Sequence, residues 1–218
     1  MDVGCGAGVM LRSLSQFGDV SGMEVDTSML DDTTPFRSSI HTEPLGADIY
    51  RDMRFDLITC LDVIEHIDDD GQAVTDMMRM LRPGGTLLVT VPAFMALWDE
   101  HDEMNRHYRR YTTRTLRDVL APHGQITELR YLFTGLFLPK LAVRQLNRLR
   151  KRKIVQSKLP GGLTNRVMKL ACEAEYRVTR RLRPPFGTSV LAVVRKPLTV
   201  GNLQPAPLEV GTGWRQVA

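Results

Sequence analysis

Met1-Asp2-Val3-Gly4-Cys5-Gly6-Ala7-Gly8 reads as the end of a β-strand running into a glycine turn and then a helix. Glycines at alternate positions let the backbone turn without a Cβ penalty and let a ligand lie close to the main chain. Val9, Met10, Leu11, Leu14 and Phe17 follow at roughly helical spacing and predict an apolar helix face. A dinucleotide turn, Gly-x-Gly-x-x-Gly, needs a further glycine three residues after Gly6. Val9 stands there, which argues against a nicotinamide-dependent oxidoreductase. What stands instead is an acid, Asp2, two residues ahead of Gly-x-Gly-x-Gly.

The residues that follow repeat a strand-then-helix order. Val20 to Asp26 is a short strand ending in acids, and Glu24 lies twenty residues after Gly4. That is where the second strand of a nucleotide-binding α/β unit offers a carboxylate to ribose hydroxyls. A third strand is expected near Ser39-Ile40-His41, and the acid that would contact adenine has no clear place. Phe55 to Leu61 is an apolar run of the kind buried on both faces of a parallel sheet. It ends in Asp62. Asp68-Asp69-Asp70 then starts a helix whose inward face is Ala73, Met77, Met78 and Leu81. Arg82-Pro83-Gly84-Gly85 stops it and leads into a further buried strand, Thr86 to Pro92.

These blocks together resemble the class I S-adenosylmethionine-dependent methyltransferases, of the type 11/23 kind and the branch that includes the ubiquinone and menaquinone biosynthesis methyltransferases. The resemblance rests on Asp2 to Gly8, Glu24, Phe55-Asp56-Leu57-Ile58, Asp62-Val63-Ile64-Glu65-His66 and Leu81 to Leu87, and covers about the first 95 residues. It implies an α/β fold with a doubly wound, mostly parallel seven-stranded sheet, and S-adenosylmethionine as cofactor. It further implies that Asp2 and the turn Gly4, Cys5, Gly6 and Gly8 hold the methionine end, Glu24 the ribose, and Asp62 and Val63 the pocket wall. A central strand of this kind carries about five apolar residues before the acid, and here only Met1 precedes Asp2. The expectation is therefore a shortened first strand and a chain truncated, or started late, just ahead of the turn.

Pro92 to Tyr111 is polar and aromatic and leaves the sheet at the edge where a ligand should lie. It is similar to a Leu-Trp…His-Asp…His-x-Arg-Arg-Tyr pattern in a bacterial subgroup of these enzymes. Thr112 or Thr113 can cap a helix over Leu116–Leu120, and Gln125 to Tyr131 reads as the sixth strand. The candidate for the seventh, Thr188 to Arg195, comes more than fifty residues later. The division expected is one methyltransferase domain over 1–197, with residues 132–186 as a basic helical insert or lid, and a loose tail over 198–218.

Net charge sharpens the picture of that insert. From Lys140 to Arg183 there are fourteen Lys and Arg against Glu173 and Glu175, a local +12 that leaves −8 for the remainder of a chain of net +4. Apolar and cationic residues interleaved at helical spacing suit a helix on an anionic bilayer; a lid with solvated charges is the plainer reading, and a nucleic-acid partner the less favoured one. Cys5, Cys60 and Cys172 have no metal-ligand spacing and point to a reducing compartment. With no apolar run long enough to span a bilayer, the expected location is cytoplasmic, peripheral to the inner face of a membrane.

For the chemistry, methyl transfer from a sulfonium asks chiefly for in-line positioning, and for a base when the acceptor is a hydroxyl. His101, His107 and Tyr111, in the loop expected over the methyl group, are the candidates; the alternative for each histidine is a structural hydrogen bond to Asp99, Asp102 or Glu103. Asp62, Glu65 and His66 resemble the acid-x-x-Glu-His that holds a divalent metal in the ubiquinone branch, but the reading adopted has no metal. The expected activity is methyl transfer to a small, lipid-like acceptor. A non-catalytic binding protein on the same fold is the alternative from another class.

Overall fold

The computed structural model describes residues 1–150 and 162–198, with the side chains of 147–150 and Leu163 excepted. Seven strands form one sheet: β1 (Asp2–Val3), β2 (Gly22–Met23), β3 (Ile40–His41), β4 (Phe55–Leu61), β5 (Leu81–Pro92), β6 (Gln125–Leu132) and β7 (Ser189–Arg195). Their order is β3-β2-β1-β4-β5-β7-β6, and only β7 runs antiparallel to its neighbours. The direction of winding reverses between β1 and β4. Ligands of open α/β sheets lie at that reversal, beyond the carboxyl ends of the strands.

The long strands carry the core. β5 alternates along its length so that Leu87, Val89 and Val91 are fully buried, and β7 does the same with Val190, Ala192 and Val194. Helix α2 (Asp70–Met80) starts where the Asp69 carboxylate accepts from the Gln72 amide at 2.8 Å. It packs Ala73, Val74, Met77 and Met80 inward, against β5 and against α4 (Thr113–Leu120). Each of the larger side chains contributes about 1.5–3 kcal/mol by leaving water. Thr112 caps α4, its hydroxyl accepting from the Thr115 amide at 3.1 Å while the Thr115 hydroxyl accepts from the Thr112 amide at 2.9 Å.

Three elements depart from the expectation. Helix α1 (Val9–Leu14) is short and buries only Leu11; Val9 and Phe17 lie in solvent, because α1 covers just a small cluster of Cys5, Leu11 and Ile40. β5 begins at Leu81 rather than Thr86, since Leu81 pairs with Phe55 across an irregularity that Arg82-Pro83-Gly84-Gly85 absorbs. Residues 92–111 are less a loop than a return. A helix α3 (Glu100–Met104) sits within them, and Tyr111 pairs with Ala93 at the end of β5.

The insert comprises α5 (Phe137–Arg150) and α6 (Gly162–Leu182). The Arg144 guanidinium donates to the Trp98 carbonyl at 2.5 Å, and the Phe137 ring meets Phe94, so α5 packs on the segment that follows β5. The rest of the basic run and the break that follows it, residues 151–161, lie outside the described residues, as do residues 199–218 of the expected tail.

Candidate active site

The turn after β1 is built from three left-handed glycines, Gly4, Gly6 and Gly8, with φ of 70°, 50° and 72°. They do different things. A Cβ on Gly4 would lie 2.4 Å from Val63 Cγ2, and one on Gly8 would lie 2.8 Å from the Pro35 carbonyl oxygen. Both positions are closed by packing. Above Gly6 only the flexible Met29 Cε comes near, at 3.5 Å, so this is where a ligand can approach the main chain.

Two acids brace the turn. Glu24 folds back on it, its Oε2 accepting from the Gly6 amide at 2.8 Å and its Oε1 from the Asp26 amide at 2.9 Å. Asp2 is buried at the start of β1, where the Thr59 hydroxyl donates to its Oδ1 at 2.5 Å. Burial pushes the Asp2 carboxyl up from its ordinary value, and the Thr59 hydrogen bond opposes that shift. The Cys5 thiol points away, into the cluster with Leu11 and Ile40, and burial raises it to about 12.

β4 delivers the opposite wall. It is followed by Asp62, a non-glycine residue at φ 54°, and Phe94 after β5 and Phe133 after β6 likewise have positive φ, at 55°. Three strands that run in the same direction thus leave the sheet through a strained residue at the same edge, a pattern concentrated at functional sites. Desolvation pushes the Asp62 carboxyl up, while the Thr90 side chain and then nearby His107 and Arg110 pull it down.

Beyond Asp62 the segment 99–111 closes on the turn Ile64–His66. The Tyr108 amide donates to the Glu65 carbonyl at 2.8 Å, and His66 Nδ1 donates to the Asn105 carbonyl at 2.8 Å. That bond sets the tautomer, leaving the His66 Nε2 lone pair unprotonated. Desolvation, then the neighbouring His107, lowers the His66 pKa. The His66 and His107 rings meet edge to face at 4.4 Å.

His107 Nδ1 donates to Asp102 Oδ1 at 2.8 Å, and Arg110 clamps the same carboxylate through Nε and Nη2, both at 2.8 Å. Asp102 also closes a capping box by accepting from the Asp99 amide at 2.8 Å. Burial alone would raise the Asp102 carboxyl. The hydrogen bonds from His107, Arg110 and Asp99 instead hold it well below the usual carboxylate range. Asp102 is therefore an anion, His107 is held by Nδ1 with Nε2 turned away from that bond, and Arg110 compensates the buried charge.

The other two candidates stand elsewhere. His101 is exposed on α3, and its amide is the group that the Asp99 side chain holds. Tyr111 is in the core, its hydroxyl donating to Asp70 Oδ2 at 2.6 Å; burial first, then this bond, raises its pKa. It is a buttress between α2 and the end of β5. Sequence reasoning named Asp102 as one of three acids for the histidines but did not reach Arg110 or Thr59. The Asp-x-x-x-x-His-x-x-Arg spacing is the signal that pairs Asp102 with both partners.

Glu65 is fully buried, and neither carboxylate oxygen has a partner among the described residues. Burial pushes its carboxyl well up. One donor atom each of Glu65, His66 and His107 lies within 4.8 Å of the others, a set of carboxylate and imidazole that suits a divalent cation. Asp62, the first acid of the sequence pattern, is not among the three.

Residues 1–89 match the family described as "Methyltransferase domain". The chain is 31% identical over 103 residues to the ubiquinone biosynthesis O-methyltransferase of Psychrobacter cryohalolentis, a match covering 41% of this chain and 39% of that one. It is 24% identical over 118 residues to the enzyme of that name from Coxiella burnetii, covering 51% and 45%. The matches thus span less than half the length of these relatives. Among solved structures, a SAM dependent methyltransferase from Archaeoglobus fulgidus superposes over 89% of this chain and 84% of its own, with a TM-score of 0.54 at 12% identity. Phosphoethanolamine N-methyltransferase 2 from Haemonchus contortus superposes over 90% and 48%, with a TM-score of 0.52 at 17% identity. The sheet order and these superpositions give this chain the Rossmann-like α/β fold of the methyltransferases.

Proposed function

We propose that this chain is an S-adenosylmethionine-dependent methyltransferase that methylates a hydroxyl of a small, lipid-like acceptor, with His107 as the base. The observation that carries this reading is the chain Arg110–Asp102–His107, which fixes the orientation of the His107 imidazole near Asp62. S-adenosylmethionine, when bound, supplies an electrophilic methyl group on a sulfonium that takes the electron pair of the broken C–S bond.

Asp2 and the open main chain at Gly6 hold the amino-acid end of the cofactor, and Glu24, already fixed by two amides, accepts from the ribose hydroxyls. The acceptor oxygen gives its proton to His107 Nε2 as it bonds to the methyl carbon. Asp102 stabilises the imidazolium that results, as a buried carboxylate does in any acid–His pair. The lipid-like acceptor is supported by relatives named for ubiquinone biosynthesis and by the basic insert over residues 140–183, which docks beside the site through Arg144 and Phe137 and offers a peripheral membrane contact.

A second reading has its own observation, the unpartnered buried carboxylate of Glu65. Glu65, His66 and His107 would hold a divalent cation, which would supply Lewis-acid activation of the acceptor hydroxyl. Titration of magnesium, manganese or zinc into the chain and into Glu65→Gln separates the two: heat that the variant loses favours the cation.

The test of the main reading is a mass-spectrometric comparison of a lipid-containing cell extract before and after addition of the chain with S-adenosylmethionine. A metabolite heavier by one methyl group is expected, with the methyl on oxygen. Cofactor binding with no methylated product, or a product methylated on nitrogen or carbon, would contradict it.

A further inference from the structure

Helix α6 presents three distinct faces. One docks on the body: Cys172, Glu175 and Thr179 are half-buried at helical spacing, and Glu175 accepts from the Thr134 and Gly135 amides while Arg130 lies over the Tyr176 ring at 5.6 Å. Away from that face runs an apolar stripe, Val167, Leu170, Ala174, Val178 and Leu182, whose spacing of three and four residues places them in one line. This stripe is in solvent; Val167, Leu170, Val178 and Leu182 are 57%, 59%, 57% and 72% exposed. The third face carries Arg166, Lys169, Arg177, Arg180 and Arg181, all exposed, along the flank of the stripe. Lys169 reaches Glu173 at 4.0 Å, and the four arginines have no acidic partner among the described residues.

A surface helix of a globular protein normally turns such a stripe inward. Here the stripe and the cationic flank together point away from the body, and α5 adds exposed Leu138, Val143 and Leu146. A second copy of this chain laid on the stripe would bring like-charged flanks together. A nucleic acid would use the arginines and leave the stripe in water. An anionic bilayer satisfies both faces at once: the apolar side chains enter the headgroup boundary and the guanidiniums pair with lipid phosphates. No described helix is long and apolar enough to cross a membrane, so α6 would lie along the surface.

We propose that α6, through Val167, Leu170, Val178 and Leu182 flanked by Arg166, Arg177, Arg180 and Arg181, docks this chain on an anionic membrane surface. This deepens the reading of a lipid-like acceptor and rests on it for its purpose. β6 ends at the same sheet edge as β4 and β5, so the docked helix sits on the side where the acceptor enters.

The experiment is flotation of the full chain with vesicles of phosphatidylcholine alone and of phosphatidylcholine mixed with phosphatidylglycerol. Binding at least about tenfold tighter to the anionic vesicles is expected. Leu170→Ser with Val178→Ser, both at exposed positions, should weaken it about tenfold or more. Arg177→Gln with Arg181→Gln should weaken it about 30-fold, the factor that two basic side chains near an anionic surface are worth. S-adenosylhomocysteine binding should be unchanged in both variants, so that failure of docking and failure of the methyltransferase reading are read separately. No flotation, equal binding to both vesicles, or indifference to the apolar pair would overturn the proposal. So would a stable dimer that the apolar pair dissolves, or salt-sensitive RNA binding that ignores that pair.

Discussion

His107 and Asp2 are the side chains whose surroundings say most about what they do. His107 is held at Nδ1 by an acid that is itself clamped by Arg110, so replacing it with Gln should leave cofactor binding intact and reduce kcat/KM about 10²–10³-fold. His101→Ala, at an exposed position of α3, should stay within about twofold of the parent, since surface substitutions rarely matter more. Steady-state kinetics on the acceptor check both, and equal losses would place the base elsewhere. Asp2 yields a pH prediction. Its carboxyl is raised by burial, so the folded chain holds that proton above the ordinary value of 3.8. Its stability contribution is therefore complete below that value and is lost as pH rises through the folded pKa. Binding has the opposite sign under the proposed function, in which the ionised carboxylate meets the cofactor's ammonium: affinity should fall on acidification, beginning above 3.8. Asp2→Asn should bind weakly at every pH yet melt no lower than the parent at neutral pH, as thermal denaturation and calorimetry across pH would show.

Among the elements, those that the sequence marks well are the ones with a strict local period. β4, β6 and β7 alternate or run apolar over seven or eight residues, and Thr112 with Thr115 announces α4 ahead of its first buried leucine, Leu116. Thr112→Ala should cost about 1 kcal/mol and lower Tm by about 2–4 °C with activity unchanged. A fall in activity larger than the fall in folded fraction would mean that α4 positions the site. The start of β5 is hidden because a proline and two glycines there are accommodated by pairing with Phe55, a partner far away in sequence. The inward face of α1 misleads for the reverse reason: its apolar spacing is helical, but little of the body lies beneath it. Arg110 is hidden in another way. Three arginines and four acids stand between Asp99 and Arg110, and only the return of Tyr111 onto Ala93 turns this arginine inward.

At the scale of the whole molecule, the sheet brings the glycine turn after β1 and Asp62 after β4 together because β1 and β4 are neighbours across the reversal of winding. This was readable from the order of the blocks in the sequence, and so was the place of Glu24 beside the turn. Which of Tyr111 and His107 lies in the core and which lies against His66 was not, since that depends on how the chain folds back onto Ala93. The uneven charge, an acidic body bearing a basic insert, is likewise a property of the full sequence that becomes spatial only once α6 is seen to point its apolar stripe outward. The claim on which the rest depends is that the turn holds S-adenosylmethionine. The direct measurement is calorimetric titration of S-adenosylhomocysteine into the full chain and into Gly4→Ala, where a Cβ would meet Val63 at 2.4 Å in a left-handed backbone. One site of micromolar affinity is expected in the parent, and in the variant a loss of at least about tenfold with about 2–4 kcal/mol of destabilisation. No heat from the folded parent at millimolar ligand would contradict it.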